Sequence, residues 1–233
     1  MFTRRQIFKG AFLAGLGSAS FGGYALAEPF RLGVTPYTIA PEGWPERLAL
    51  RLAILTDFHF CEPWFGIERL ERLVAETNAL EADAVLLLGD FVAGPRLGHI
   101  GRAIPHREWA GRLSGLKAPY GVHAVLGNHD WWEERAVQDR RQGPTLSGIA
   151  LAEAGIPVYE NDALRLEKNG QPFWIAGLGD QWAFWPTDAD KKIDGIHAYD
   201  GVDDLPGTLA KVTDDAPVIL MVHEPDIFPQ VPA

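Results

Sequence analysis

The chain has 233 residues, 47% of them hydrophobic and 22% charged, which suits a globular protein with one sizeable core. A formal net charge of −10 removes the basic surface that a nucleic-acid backbone needs, so no nucleic-acid partner is expected, although metal ions would let an acidic protein act on phosphate. The lone cysteine, Cys61, excludes an intrachain disulfide.

The first residues read as an address. Thr3-Arg4-Arg5-Gln6-Ile7-Phe8-Lys9 precedes a moderately apolar, glycine-rich run from Gly10 to Tyr24, and Ala25-Leu26-Ala27 suits signal peptidase. Paired arginines ahead of a weak apolar region resemble a twin-arginine export signal over residues 1–27. The expected location is therefore outside the cytoplasmic membrane, either periplasmic or anchored to its outer face. The twin-arginine translocase is the expected transit partner, and membrane association stays open.

Residues 28–233 read as one domain. Phe30 to Ile39 favours a strand, but Pro36 cannot donate to a ladder and limits it to an edge. Arg51 to Leu55 is the first central strand. Ile67, Leu70, Leu73, Val74 and Leu80 recur at helical spacing and predict an amphipathic helix over Gly66 to Leu80. Ala84 to Leu88 returns as a buried strand, and strand-helix-strand order makes it a parallel neighbour of the first. Glu108 to Leu116 predicts a short helix, Val122 to Leu126 a strand and Thr145 to Ala154 a helix. Short strands follow at Val158-Tyr159, Ala163 to Leu166 and Phe173 to Ala176, with Asn169-Gly170 as a hairpin turn. Gln181 to Lys192 reads as an aromatic loop, Leu205 to Val212 as a short helix and Pro217 to Val222 as the last strand.

Four apolar runs close on polar chemistry. They end in Asp57-Phe58-His59, Gly89-Asp90, Gly127-Asn128-His129-Asp130 and His223-Glu224-Pro225. A lone His or Asp at a strand end is more often a cap or a satisfied polar contact. Four together read as one site built from neighbouring strand ends. Carboxylate and imidazole suit a hard or borderline dication, and two close dications want a bridging carboxylate. Asp57 and His59, two apart, face the same side if strand geometry persists. Asp90 is the candidate bridge, Asn128 offers a neutral amide oxygen and His223 a further imidazole.

These blocks resemble the calcineurin-like metallophosphoesterase superfamily, with Gly-Asn-His-Asp the most specific of them, and the twin-arginine segment points to its exported bacterial phosphodiesterase branch. The resemblance implies an α/β fold, a four-layer α-β-β-α sandwich of two mixed sheets with the metal site at the strand carboxyl ends. It implies two divalent metal ions, Mn, Fe or Zn, with Asp57 and His59 on the first, Asp90 between them, and Asn128 and His223 on the second. Asn128 and His129 would touch the phosphate, and His129 would help protonate the leaving oxygen. A hydroxide held between the metals would attack phosphorus in line, because metal coordination brings the pKa of water from about 15.7 to roughly 7. The expected substrate is a small-molecule or lipid-linked phosphoester, a diester before a monoester. Rival readings are a non-catalytic scaffold of the same fold and a pyrophosphohydrolase of a nucleotide-sugar lipid.

Two departures stand out. The family's Gly-His-x-His, one further ligand for each metal, is missing; a C-terminal truncation is expected before crippled metal binding. Ala93 stands three residues after Asp90, where some relatives carry an Asp that orients the catalytic His. Elsewhere, Cys61 reads as a buried thiol before a soft ligand. Trp131 and Trp132 are candidates for stacking on substrate, and Trp174, Trp182, Phe184 and Trp185 for lining a pocket, with core packing as the alternative. His99, His106 and His197 have no assigned role.

Overall fold

The computed structural model describes residues 31–94, 100–186, 192–193, 196–197 and 199–232. The expected signal segment, 1–27, and His99 lie outside them. Residues 40–233 form one compact unit. The edge strand expected up to Ile39 does not form over 31–39, where the backbone carries no regular structure. Val34, Tyr37 and Ile39 are exposed there, so the loose alternation buries nothing that would hold a strand in place.

Three strands, β1 (Leu52–Leu55), β2 (Ala84–Leu87) and β3 (Val122–Ala124), form a parallel sheet in that order. Helix α1 (Ile67–Ala79) links β1 to β2 and buries Leu70, Leu73 and Thr77, the stripe its apolar spacing predicts. All four residues of β2 are buried, and their alternation divides the core. Val85 and Leu87 pack with Leu70 and Leu73 of α1, Trp109 and Leu113 of α2 (His106–Leu113) and a leucine from a later helix, Leu151. Ala84 and Leu86 pack instead with Phe173, Ile175 and Met221 of the second sheet.

Helices α3 (Asn128–Trp132), α4 (Arg135–Arg140) and α5 (Leu146–Glu153) follow β3. The second sheet holds β4 (Asp162–Lys168), β5 (Gln171–Gly177) and β6 (Val218–Met221), ordered β6-β5-β4. The β4–β5 pair is an antiparallel hairpin closed by Asn169 (φ 52°) and Gly170 (φ 76°), the left-handed pair that an Asn-Gly turn supplies. Strand β6 runs parallel to β5. The first sheet is thus parallel throughout its described strands and only the second is mixed. Leu178, Leu205 of α6 (Leu205–Leu209) and Ile227 form a third cluster, with Leu220 and Val222 packed on it. Among the described residues no helix is long and apolar enough to cross a membrane.

Beneath the strand ends lies an aromatic stack. Phe58 stacks on Phe91 at 5.2 Å, Phe91 on Trp109 at 5.1 Å and Phe60 on Trp109 at 5.3 Å. Phe58 sits between Asp57 and His59 in sequence, and Phe91 follows Asp90. Burying each ring fixes the polar residue beside it, with about 1.5–3 kcal/mol of transfer free energy per fully buried side chain. Packing and site geometry are therefore coupled residue by residue.

Candidate metal centre

The polar residues meet where the loops after β1, β2, β3 and β6 converge. The segments after β1 and β2 run side by side, with Asp57, His59 and Phe60 donating their backbone N–H groups to the carbonyls of Gly89, Asp90 and Phe91 at 3.1, 2.9 and 2.9 Å. Asp57, His59 and Asp90 all adopt left-handed backbone conformations, with φ of 55°, 44° and 57°. The strand geometry assumed for Asp57 and His59 is therefore not what aligns them. β1 ends at Leu55, and two left-handed residues turn both side chains into one space, with His59 Nε2 3.7 Å from Asp57 Oδ1. Three non-glycine residues held at positive φ in one site mark strain that the surroundings must stabilise.

Gly89 and Gly127 bring the loops close enough. Gly89 has φ 91°, and a Cβ there would run into the backbone nitrogen of Gly127. A Cβ on Gly127 would meet Asp90 Oδ1 and lie 2.7 Å from the His223 ring. Asp130 locks this contact. One of its carboxylate oxygens accepts from the N–H groups of Gly127 and Asp90, both at 3.0 Å, and the other from Phe91 N–H at 3.1 Å and the Ser147 hydroxyl at 2.9 Å. The bond to Gly127 is the return arm of an N-terminal cap on α3. Burial and the Asp90 carboxylate push the Asp130 carboxyl up to about 7.

Asp90 is buried at the centre. Its Oδ2 is 3.5 Å from His59 Nε2 and its Oδ1 is 3.5 Å from His223 Nε2, so each oxygen faces a different imidazole. Oδ1 also accepts the His129 backbone N–H at 2.9 Å. Burial alone would raise the Asp90 pKa, but the His223 and His129 side chains hold it below the usual carboxylate range. His223 is the reciprocal case. Burial works against its protonation, yet Asp90, Glu224 and the Leu88 carbonyl push it up to about 10. His129 is likewise raised, with burial opposed by Glu133 and Asp90.

Several features fit divalent cations. His59 Nδ1 lies 3.0 Å from the Val92 carbonyl and His223 Nδ1 2.6 Å from the Leu88 carbonyl, which leaves each Nε2 to face the centre. Backbone partners of this kind fix the tautomer of metal-binding histidines. Ligand atoms about 2.0–2.2 Å from a tetrahedral ion stand about 3.4 Å apart, which matches the Asp90–imidazole spacings. Potential ligand atoms of His59, Asp90 and His129 lie within 4.8 Å of one another, and so do those of Asp57, Asp90 and His223. Asp90 is common to both groups. Asn128, the first residue of α3, is buried beside Gly127.

Two further carboxylates were not expected from the sequence. Asp180 and Glu224 are buried against each other, and apart from that mutual contact Asp180 Oδ2 and both Glu224 oxygens have no hydrogen-bond partner among the described residues. Glu224 Oε1 is 3.9 Å from His223 Nε2. Burial and the neighbouring Glu224 raise Asp180 well above the carboxylate range, and burial raises Glu224. Unsatisfied buried oxygens beside His223 suit a cation or a strong donor. Asp180 had a readable signal, since it closes the apolar run that continues from β5 as the other site residues close theirs.

The aromatic expectations divide. Trp131 is 1% exposed and packs against Phe184, and Trp174 is buried with its indole N–H on Asp214, so neither is available to a ligand. Trp132 lies 5.3 Å from the His129 ring and stacks with Trp185 at 4.2 Å and Tyr199 at 5.1 Å. Trp182 stacks on Tyr199 at 5.2 Å. This aromatic group borders the centre. Cys61 is fully buried, and burial raises its thiol pKa. His123 is a core histidine between the Tyr159 hydroxyl and the Tyr120 carbonyl.

Residues 50–229 match the family model described as calcineurin-like phosphoesterase. The chain belongs to that family. Its class is therefore that of a metallophosphoesterase, a hydrolase of a family that normally binds divalent metals. The metallophosphoesterase YkuE of Bacillus subtilis is 28% identical, over 96% of this chain and 70% of its own length. A metallophosphoesterase of Aquifex aeolicus is 27% identical, over 88% of this chain and 67% of its own. A zebrafish transmembrane protein with a metallophosphoesterase domain is 28% identical over 89% of this chain, which spans 42% of that protein.

Proposed function

We propose that this metallophosphoesterase is a binuclear enzyme that hydrolyses a phosphodiester. One observation carries the binuclear reading: the two oxygens of the buried Asp90 each stand 3.5 Å from the Nε2 of a different histidine. Asp57 and His59 would hold one cation, Asn128 and His223 the other, with Asp90 shared. When bound, two divalent cations supply positive charge to the phosphoryl oxygens and lower the pKa of water to about 7. The chain's own part is to pre-set the ligands. Backbone carbonyls hold His59 and His223, the Asp130 carboxylate ties the Asp90 turn to Gly127, and the Phe58–Phe91–Trp109 stack supports both turns from below.

We read the two sheets as the inner layers of an α-β-β-α sandwich, supported by the alternating burial of β2 between a helix-lined cluster and the second sheet. Export in the folded state by the twin-arginine translocase is supported by Arg4-Arg5 and the flanking residues. The substrate test is turnover of bis- against mono-p-nitrophenyl phosphate by Mn- or Zn-loaded protein. Faster diester hydrolysis is expected, and equal or faster monoester hydrolysis would overturn the diester assignment. Asp90→Asn tests the shared ligand: bound metal should fall from two ions to at most one, with at least about a hundredfold loss of kcat if charge stabilisation depends on the pair.

A further inference from the structure

We infer that Glu133 is the residue that orients His129, holding its ring so that Nε2 is presented to the leaving oxygen of the substrate. The inference rests on the phosphoesterase reading above for what His129 does and on independent geometry for how it is held. Glu133 caps the C-terminus of α3, and its backbone N–H donates to the His129 carbonyl at 3.3 Å. The same two residues meet again through their side chains, with Glu133 Oε1 3.0 Å from His129 Nδ1. Both side chains are about three-quarters shielded from solvent, at 24% and 26% exposed.

Among the described residues, the other neighbours confine the ring without a hydrogen bond to Nδ1. A Cβ on Gly94 would lie 2.6 Å from His129 Cε1 and 3.0 Å from Nδ1, so that backbone is pressed against the ring. The His59 ring meets it edge-on at 5.0 Å and the Trp132 ring at 5.3 Å. Ala93, beside Gly94, has only a methyl group to offer. A carboxylate is acceptor-only when ionised, so Nδ1 must carry the proton in this contact, and Nε2 is the remaining nitrogen.

The step is a balanced hydrolysis. A water oxygen bonds to phosphorus and releases a proton to solvent. The bond from phosphorus to the leaving oxygen breaks, its electron pair stays on that oxygen, and the imidazolium Nε2–H supplies the proton that makes it a hydroxyl. Nδ1 keeps its proton and donates it in a hydrogen bond to Glu133 Oε1 throughout, and a solvent proton restores Nε2–H. Glu133 is thus a positioning residue. It holds the ring and selects the tautomer through the Nδ1 contact, and it does not touch substrate.

The test has two independent readouts. The first is the ¹⁵N imidazole spectrum of metal-free protein at a pH where the ring is neutral. Wild type and Glu133→Gln, whose amide oxygen still accepts, should show His129 as the Nδ1–H form, and Glu133→Ala should shift it towards Nε2–H. The second is the ratio of kcat for a diester with an alkyl leaving group to kcat for a p-nitrophenyl diester. An alkoxide needs the proton far more than p-nitrophenolate does, so Glu133→Ala should lower the ratio by about tenfold or more, a fraction of the 10²–10⁴ that proton transfer contributes. Glu133→Gln should recover most of it. An unchanged tautomer in Glu133→Ala, or equal losses on both esters, overturns the inference. Wild-type protein that loads metal but hydrolyses neither ester sinks the phosphoesterase reading instead, and the spectrum alone then decides how His129 is held.

Discussion

Raising the pH should destabilise the metal-free protein through His223. Its imidazole is nearly buried, at 9% side-chain exposure, and is pushed up to about 10 by Asp90, Glu224 and the Leu88 carbonyl against the opposing effect of burial. A folded pKa above the unfolded value of about 6.5 favours the protonated folded state. The stabilisation is complete below pH 6.5 and is lost as pH rises through about 10. Each pH unit between the unfolded and folded values is worth about 1.4 kcal/mol, so the full effect is on the order of 5 kcal/mol, of which about 3–4 would disappear between pH 7 and 10. That is a large share of the roughly 5–15 kcal/mol by which domains are stable. The assay is urea unfolding of EDTA-treated protein across this range, for wild type and His223→Gln. The variant should be weaker at pH 7 and much flatter towards pH 10. The difference between the two curves isolates His223 from His129, which is raised in the same direction, and Tyr159, pushed up to about 12, acts only above the window. Parallel curves for the two proteins would refute the reasoning. The same proton must leave before a cation reaches Nε2, so Zn affinity should rise about tenfold per pH unit between 7 and 10. Calorimetry in buffers of different ionisation enthalpy should record the release of close to one proton at this site.

Two further outcomes follow from the supports of the site. Asp130→Ala strands the buried N–H groups of Gly127, Asp90 and Phe91, each costing about 1–3 kcal/mol, and relief of repulsion with Asp90 returns part of this. A net loss of about 3 kcal/mol is expected in urea unfolding at pH 8. Phe91→Ala opens the aromatic stack between Phe58 and Trp109 and should cost about 3–5 kcal/mol. Metal affinity should fall with it, because Phe91 fixes the turn that carries Asp90; unchanged affinity would separate packing from site geometry.

Much of this architecture was legible from periodicity. The helix expected over Gly66 to Leu80 forms over Ile67–Ala79, and the strands ending before Asp57, Asp90 and Asn128 are paired neighbours as the strand-end reading expects, while the strand before His223 belongs to the second sheet and pairs with β5. What sequence spacing did not convey was how the side chains converge. Asp57 and His59 meet through left-handed turns, which a strand rule of alternation cannot describe. The helix α3 was hidden because Gly-Asn-His-Asp carries weak helix formers, and its stability comes from the Asp130 cap and from tertiary packing rather than propensity. Once those residues are helical, Glu133 falls one turn from His129. Asp180 closes an apolar run as the other site residues do and could have been read from that signal, whereas the burial of Glu224 beside His223 depends on tertiary packing that no local pattern conveys. Trp131 and Trp132 are adjacent, yet one faces the core and the other the site border, a difference set by helix rotation.

The central claim, two cations sharing Asp90, is tested most directly by anomalous diffraction at the Mn edge from Mn-loaded crystals. The account predicts two peaks per chain on either side of the Asp90 carboxylate, about 3.5–4 Å apart, one towards Asp57 and His59 and the other towards Asn128 and His223. A single peak, or density bound away from Asp90, would contradict it.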